Sequence, residues 1–176
     1  GSTASLAALL GGPVNHAPTV ANALADQAVP EGAPFSIQVP GNTFADQDVG
    51  DVLTYSASLA NGNALPTWLN FNATTRTFSG TPDDAQVGSL DLHVTATDTG
   101  NLTVSDVFTL TVQNVNETPT VAAPLADQQA TEDALFSLVV PANTFADQDL
   151  GDSLTYSATL AGGAALPIWL SFNATA

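Results

Sequence analysis

Cysteine is absent from the 176 residues, which removes disulfide frameworks and zinc-thiolate sites from consideration. That absence is silent about compartment. Positive charge is almost absent too: one Arg, Arg76, and no Lys stand against 17 Asp and Glu, for a formal net charge of −16. Nucleic acid and anionic membrane surfaces both demand Lys and Arg, so this balance argues against either as a partner. No apolar run reaches the roughly 18 residues of a membrane span. With so few basic side chains, almost no carboxylate finds an opposite charge within the protein, and counter-ions have to fill that role. Disorder is disfavoured all the same, because 44% of residues are hydrophobic and only 10% charged, a balance suited to a packed core.

What is present is a repeat. Asn42-Thr43-Phe44-Ala45-Asp46-Gln47-Asp48-Val49-Gly50-Asp51 returns, nearly unchanged, as the segment from Asn143 to Asp152, at an offset of 101 residues. Pro18-Thr19-Val20 returns as Pro119-Thr120-Val121, and Trp68-Leu69 as Trp169-Leu170, with no slip in register. The expected organisation is a tag or linker over 1–14, opened by the scar-like Gly1-Ser2, a complete sandwich repeat over 15–116, and the N-terminal part of a second repeat, strands A to D, over 117–176.

Within the first copy, short alternating segments are separated by Gly, Pro, Asn and Asp clusters, the pattern of an all-β, seven-stranded Greek-key sandwich. Strand A is expected near 20–30, B over Phe35 to Val39, C over Leu53 to Leu59 and D near Leu65 to Asn72, with Trp68, Leu69 and Phe71 plugging the core. E follows at Arg76 to Ser79, F over Leu90 to Ala96, and G over Phe108 to Val112. In B, C and F apolar residues occupy every second position, so one face of each turns inward. The second copy lacks E, F and G. Its Phe136, Leu138, Tyr156 and Trp169 then have no facing sheet, and residues from about 120 are expected to be poorly ordered or completed by another chain through strand exchange or homo-oligomerisation.

The topology sorts the acidic residues. The B–C and F–G loops share one pole with the incoming linker, which gathers Asp46, Asp48, Asp51 and Asp98 with Asn15. The A–B and E–F loops share the other, which gathers Glu31 and Asp83, from the pair Asp83-Asp84, with linker residues Asn114, Asn116 and Glu117. The next repeat brings Asp147, Asp149 and Asp152 to that junction. Oxygen-only ligands drawn from loops and a linker suit Ca2+, which accepts 6 to 8 oxygens in irregular geometry, better than Mg2+. An EF-hand loop is excluded: the twelfth position from Asp46 is Ala57 and from Asp147 is Ala158, where a bidentate Glu belongs.

The bland reading of the same loop is a polar turn kept soluble by charge. Asp26, Asp91, Asp106, Asp127 and Asp133 read as solvated surface charges. His16 and His93 lack an evident acid–base partner, and close Asp pairs in a turn lack a substrate groove, so no enzyme is expected. The three N-glycosylation triplets, starting at Asn72, Asn101 and Asn173, are too short a pattern to weigh.

Asn114-Val115-Asn116-Glu117-Thr118-Pro119, Phe44-Ala45-Asp46-Gln47-Asp48, Phe78-Ser79-Gly80-Thr81-Pro82 and Val94-Thr95-Ala96-Thr97-Asp98 together resemble the bacterial cadherin-like repeats of the dystroglycan type, often described as immunoglobulin-like domains. The resemblance covers almost the whole chain. It implies calcium bound at repeat junctions by Glu31, Asp147, Asp149, Asn114, Asn116 and Glu117, in a large secreted or surface-attached bacterial protein, as a calcium-stiffened spacer of an adhesin. It departs from animal cadherins in a linker one residue shorter and in Asn114 standing where they carry Asp. The alternative is a carbohydrate- or protein-binding accessory module of a secreted hydrolase, with Trp68 or Trp169 as a stacking platform.

Overall fold

The computed structural model describes residues 14–149 and 151–174, so all of the expected tag but Val14 falls outside it. The chain divides into two compact units between Val115 and Asn116. Unit 1 is the all-β sandwich. Its strands are β1 (Thr19–Val20), β2 (Gln27–Pro30), β3 (Phe35–Gln38), β4 (Phe44–Ala45), β5 (Thr54–Leu59), β6 (Leu69–Asn72), β7 (Thr77–Gly80), β8 (Gly88–Thr97) and β9 (Thr103–Gln113). One sheet runs β2-β9-β8-β5 and the other β3-β7-β6, seven strands in two layers, with β1 and β4 forming a separate short ribbon.

The inward faces follow the alternation. β8 buries Leu92, Val94 and Ala96, and β9 buries Phe108, Leu110 and Val112, against Phe78 of β7 and Leu69 of β6. The β8–β9 hairpin, paired over ten positions from Gly88↔Val112 to Thr97↔Thr103, is the longest ladder in the unit. Phe78 lies at its centre, 4.6 Å from the Phe71 ring and 5.5 Å from that of Phe108. Trp68 is only half-buried and meets Phe35 edge-on at 6.3 Å.

Strand A comes out divided. Its first part, β1, pairs antiparallel with β4, and its second part, β2, pairs parallel with β9. The chain crosses from one partner to the other between residues 21 and 26, and two carboxylates hold that crossing: Leu24 N donates to Asp106 Oδ2 at 2.6 Å and Thr109 N to Asp26 Oδ1 at 2.8 Å. Asp26 and Asp106 therefore cap backbone groups rather than simply standing in solvent, and Asp91 accepts from Thr109 Oγ1 at 2.8 Å.

Unit 2 repeats the local structure of unit 1 without its sheets. Ala122 N and Ala123 N donate to Thr144 O, as Ala21 N and Asn22 N do to Thr43 O. The ribbon recurs as β10 (Thr120–Val121) paired with β11 (Phe145–Ala146), and Phe145 packs on Tyr156 at 5.9 Å as Phe44 does on Tyr55 at 6.1 Å. Among the described residues no other strand forms in unit 2, although strands A to D were expected there. The segments matching β3, β5 and β6 lack the strands that pair with those elements in unit 1, namely β7 and β8. Short strands without partners do not persist.

Truncating the most enclosed aromatic tests this account of the core. Phe78→Ala is expected to destabilise unit 1 by about 3–5 kcal/mol through lost burial and the resulting cavity, read as a lower urea midpoint with unchanged slope.

Candidate metal centres

One pole of unit 1 is built from three separated segments. Phe44-Ala45 of β4 delivers the loop from Asp46 to Asp51, β8 ends at Thr97 and so places Asp98 at the turn into β9, and the chain ahead of β1 brings Asn15 and His16. Carboxylate oxygens of Asp46, Asp51 and Asp98 lie within 4.8 Å of one another. Asp98 is only 4% exposed; its Oδ1 accepts from Leu102 N at 2.8 Å and its Oδ2 from Asn15 Nδ2 at 3.0 Å. Asp46 Oδ1 accepts from Asp48 N at 2.8 Å, and Asp51 Oδ1 from Thr99 Oγ1 at 2.7 Å. The remaining oxygens, Asp46 Oδ2 and Asp51 Oδ2, are buried with no hydrogen-bond partner.

Two glycines make this geometry possible. Gly50 has φ +103°, which reverses the chain so that Asp51 returns towards Asp46. At Gly100 an added Cβ would stand 2.4 Å from Asn15 Nδ2, so a side chain there would displace Asn15 from Asp98. Sequence reasoning passed over Gly100, because its role depends on a residue 85 positions earlier that only the fold brings near.

Asp48 is not part of that trio. His16 N donates to its Oδ2 at 2.6 Å and the His16 ring Nδ1 lies 3.0 Å from its Oδ1. The backbone hydrogen bond from His16, then that from its ring, hold the Asp48 carboxyl below its ordinary pKa. In unit 2 the corresponding group is Asp147, Asp149 and Asp152, with oxygens again within 4.8 Å, and here the Asp48 counterpart belongs to the cluster. Position 16 is taken there by Glu117, whose N donates to Asp149 Oδ2 at 2.8 Å. Asp147 Oδ1 accepts from Asp149 N at 3.0 Å, and Asn116 Nδ2 donates to Glu117 O at 3.1 Å.

At the other pole of unit 1, Glu31 is 3% exposed. Its backbone N donates to Gln113 O at 3.0 Å, its Oε1 accepts from Val115 N at 2.7 Å, and its Oε2 is buried without a partner. Asp84, not Asp83, sets a carboxylate oxygen within 4.8 Å of it. Asp83 instead caps a short 3₁₀ helix, Asp84–Gln86: its Oδ1 accepts from Ala85 N at 3.0 Å, and Gln86 Oε1 returns a bond from Asp83 N at 2.9 Å. Asn114 is exposed.

These donor sets are almost entirely oxygen, which suits a hard cation. Three carboxylates this close repel by order 4 kcal/mol per pair at 4 Å, taking an effective dielectric of about 20. No Lys or Arg offsets them, since Arg76 is stacked over Tyr55 at 5.5 Å. Buried oxygens with no donor, Asp46 Oδ2, Asp51 Oδ2 and Glu31 Oε2, are what bound cations satisfy. The residues present therefore fit Ca2+.

A family model described as "Putative Ig domain" matches residues 17–113 and 118–176. Among solved structures, the extracellular cadherin domains 1–5 of protocadherin gamma B2 are 19% identical, with a TM-score of 0.50 over 76% of this chain and 26% of that one. An endo-fucoidan hydrolase of glycoside hydrolase family 107 is 23% identical, with a TM-score of 0.45 over 56% of this chain and 14% of that one. The PKD domain of the KIAA 1837 protein is 16% identical, with a TM-score of 0.39 over 66% of this chain and all of that one. The protocadherin likeness speaks for the fold alone, and the two looser ones carry no argument. The chain spans less than a third of the larger chains it matches. No helix of the described residues is long and apolar enough to cross a membrane.

The Asp48 contacts carry a pH signature. A carboxyl whose folded pKa is depressed adds stability that is present above its unfolded value, about 3.9, and is lost as pH falls through the folded value. Asp48→Asn is expected to flatten the acid limb of the stability profile below about pH 4, checked by thermal unfolding over pH 2–6.

Proposed function

Since the chain belongs to the "Putative Ig domain" family, we propose that it is a calcium-binding, cadherin-like segment of the dystroglycan type, serving as a spacer in a multi-repeat adhesion protein at a bacterial surface. The observation that carries this reading is the pair of buried, partnerless oxygens, Asp46 Oδ2 and Asp51 Oδ2, inside the trio completed by Asp98. Asp46, Asp51 and Asp98, with the amide oxygen of Asn15, hold one ion in unit 1. Glu31 and Asp84 contribute to another, and Asp147, Asp149 and Asp152 to one in unit 2. Asp48 supports the first site through His16, and Asn114, Asn116 and Glu117 are the linker ligands. Neighbouring repeats of the same protein are its partners, and no catalytic step is assigned to it.

The mechanism is linkage. A cation that binds the folded pole and not the unfolded chain stabilises by RT ln(1 + [L]/Kd), about 2.7 kcal/mol at a hundredfold excess over Kd. Ions held by linker residues also limit how far successive repeats swing, which turns a string of sandwiches into a stiff spacer. Calcium is expected to raise the Tm of unit 1 by several degrees over a chelator-treated sample. Asp51→Asn and Asp98→Asn are expected to remove most of that gain. A Tm and small-angle scattering profile indifferent to millimolar calcium would defeat the proposal.

The second reading, a carbohydrate- or protein-binding accessory module, has one observation in its favour: an open groove lined by Tyr55, Leu65, Leu69, Asn70 and Phe71 between the edges of the two sheets. Polysaccharide binding lost in Phe71→Ala, with folding retained, would favour it.

A further inference from the structure

The acidic loops of the two units share one backbone and place one carboxylate differently. Asp48 N donates to Asp46 Oδ1 at 2.8 Å, and Asp149 N to Asp147 Oδ1 at 3.0 Å. Asp51 N reaches Asp48 O and Asp152 N reaches Asp149 O, both at 3.2 Å. Gly50 and Gly151 turn the chain with φ of +103° and +99°. Backbones this alike start the Asp48 and Asp149 side chains from equivalent points. Yet Asp149 is 5% exposed and sets an oxygen within 4.8 Å of those of Asp147 and Asp152, whereas the Asp48 side chain is 23% exposed and stands outside the trio of Asp46, Asp51 and Asp98.

The residue ahead of each ribbon shows what draws Asp48 aside. A backbone N–H meets Oδ2 in both units, from His16 at 2.6 Å and from Glu117 at 2.8 Å, so that bond does not decide the matter. The imidazole is what differs. His16 Nδ1 lies 3.0 Å from Asp48 Oδ1, and Glu117 stands at the corresponding position of unit 2.

Resting on the cation reading above, we propose that His16 sets the ligand count of the unit 1 pole: by holding both oxygens of Asp48 it keeps a fourth carboxylate from the ion bound by Asp46, Asp51 and Asp98. His16 is a positioning residue, since it touches Asp48 and not the ion. The consequence is electrostatic. Calcium affinity at oxygen sites follows ligand charge and site rigidity, over a range from about 10⁻⁹ M to about 10⁻³ M. A fourth carboxylate would hold the ion more tightly and would add its own repulsion to that of the three already gathered when the ion is gone. With Asp48 turned to His16, the empty pole is less strained and the filled pole grips less firmly. Unit 1 therefore loads at higher calcium than its loop sequence alone would set.

The test follows the amide NMR signals of Thr99 and Gly100 in the isotope-labelled full chain as calcium is added, because these residues directly follow Asp98 and report the unit 1 pole. Asp48→Asn is expected to leave the calcium Kd within about twofold, and Asp98→Asn to raise it at least about tenfold, the equivalent of roughly 1.4 kcal/mol. His16→Ala is expected to lower Kd at least about fivefold through the added ligand charge. His16→Phe, which keeps a ring without Nδ1, is expected to do the same, and both gains are expected to vanish when Asp48→Asn is added. A Kd raised as much by Asp48→Asn as by Asp98→Asn would overturn the proposal and leave the cation reading standing. So would a gain in the His16 variants that persists alongside Asp48→Asn, or no gain in either of them. Thr99 and Gly100 signals that ignore millimolar calcium in every chain would remove the cation reading itself, and the proposal with it.

Discussion

A single imbalance organises this protein: 17 carboxylates share one Arg. Ion pairs with Lys or Arg, the ordinary way to settle a carboxylate, are nearly closed off, and the structure uses backbone N–H groups instead. Asp26 and Asp106 take N–H groups where the first strand changes sheets. Asp98 takes one across the β8–β9 turn, Asp83 caps the 3₁₀ helix, and Glu31 takes one from the start of the linker. Each such bond fills one oxygen, and a carboxylate has two. The second oxygens of Asp46, Asp51 and Glu31 are left buried and in like-charged company. The acidic composition and the cation-seeking poles are thus two aspects of one constraint.

The two units show how little of a strand is local. Phe35-Ser36-Ile37-Gln38 and Phe136-Ser137-Leu138-Val139 share their first two residues and their alternation at the first three positions, yet only the first is a strand. The turns survive the loss of the sheets: Leu59 N still finds Asn63 O and Leu160 N finds Ala164 O, both at 2.9 Å. Turns and the β1–β4 type of ribbon are closed by residues within about 26 positions of one another. The sheets are closed by β7, β8 and β9, and strand preference is largely a matter of such partners.

That division also explains what could be read in advance. Strands B, C, F and G were legible because Phe35, Tyr55, Leu92 and Leu110 each sit in a run of period two, and so was the gathering of Asp46, Asp51 and Asp98, which follows from topology alone. The break in strand A was not, since it is made by Asp26 and Asp106 reaching backbone groups 83 and 82 residues away. Nor did the sequence distinguish Asp83 from Asp84: adjacent carboxylates look alike until a helix start gives one of them N–H groups to accept from. Asp48 was grouped with its neighbours because the loop repeats, but the residue that separates it from them, His16, lies outside the repeated motif, where unit 2 has Glu117.

The pole and the core of unit 1 are coupled through the chain itself. Asp98 directly follows β8, the strand that buries Leu92, Val94 and Ala96, and its two oxygens already tie the β8–β9 turn to Asn15, 83 residues earlier. Thr99 ties the same turn to Asp51, 48 residues earlier. An ion drawing Asp46, Asp51 and Asp98 together would close the same long loops again. Loop-closure entropy grows only slowly with length, so the gain from such a clamp comes chiefly from cancelling carboxylate repulsion that the fold has already concentrated. The repulsion exists only because the core forces three separate segments to meet at one end. A cation bound at this pole would therefore answer a strain created by folding, and under the proposed reading its effect would belong to the stability of the sandwich as much as to the stiffness of the linker.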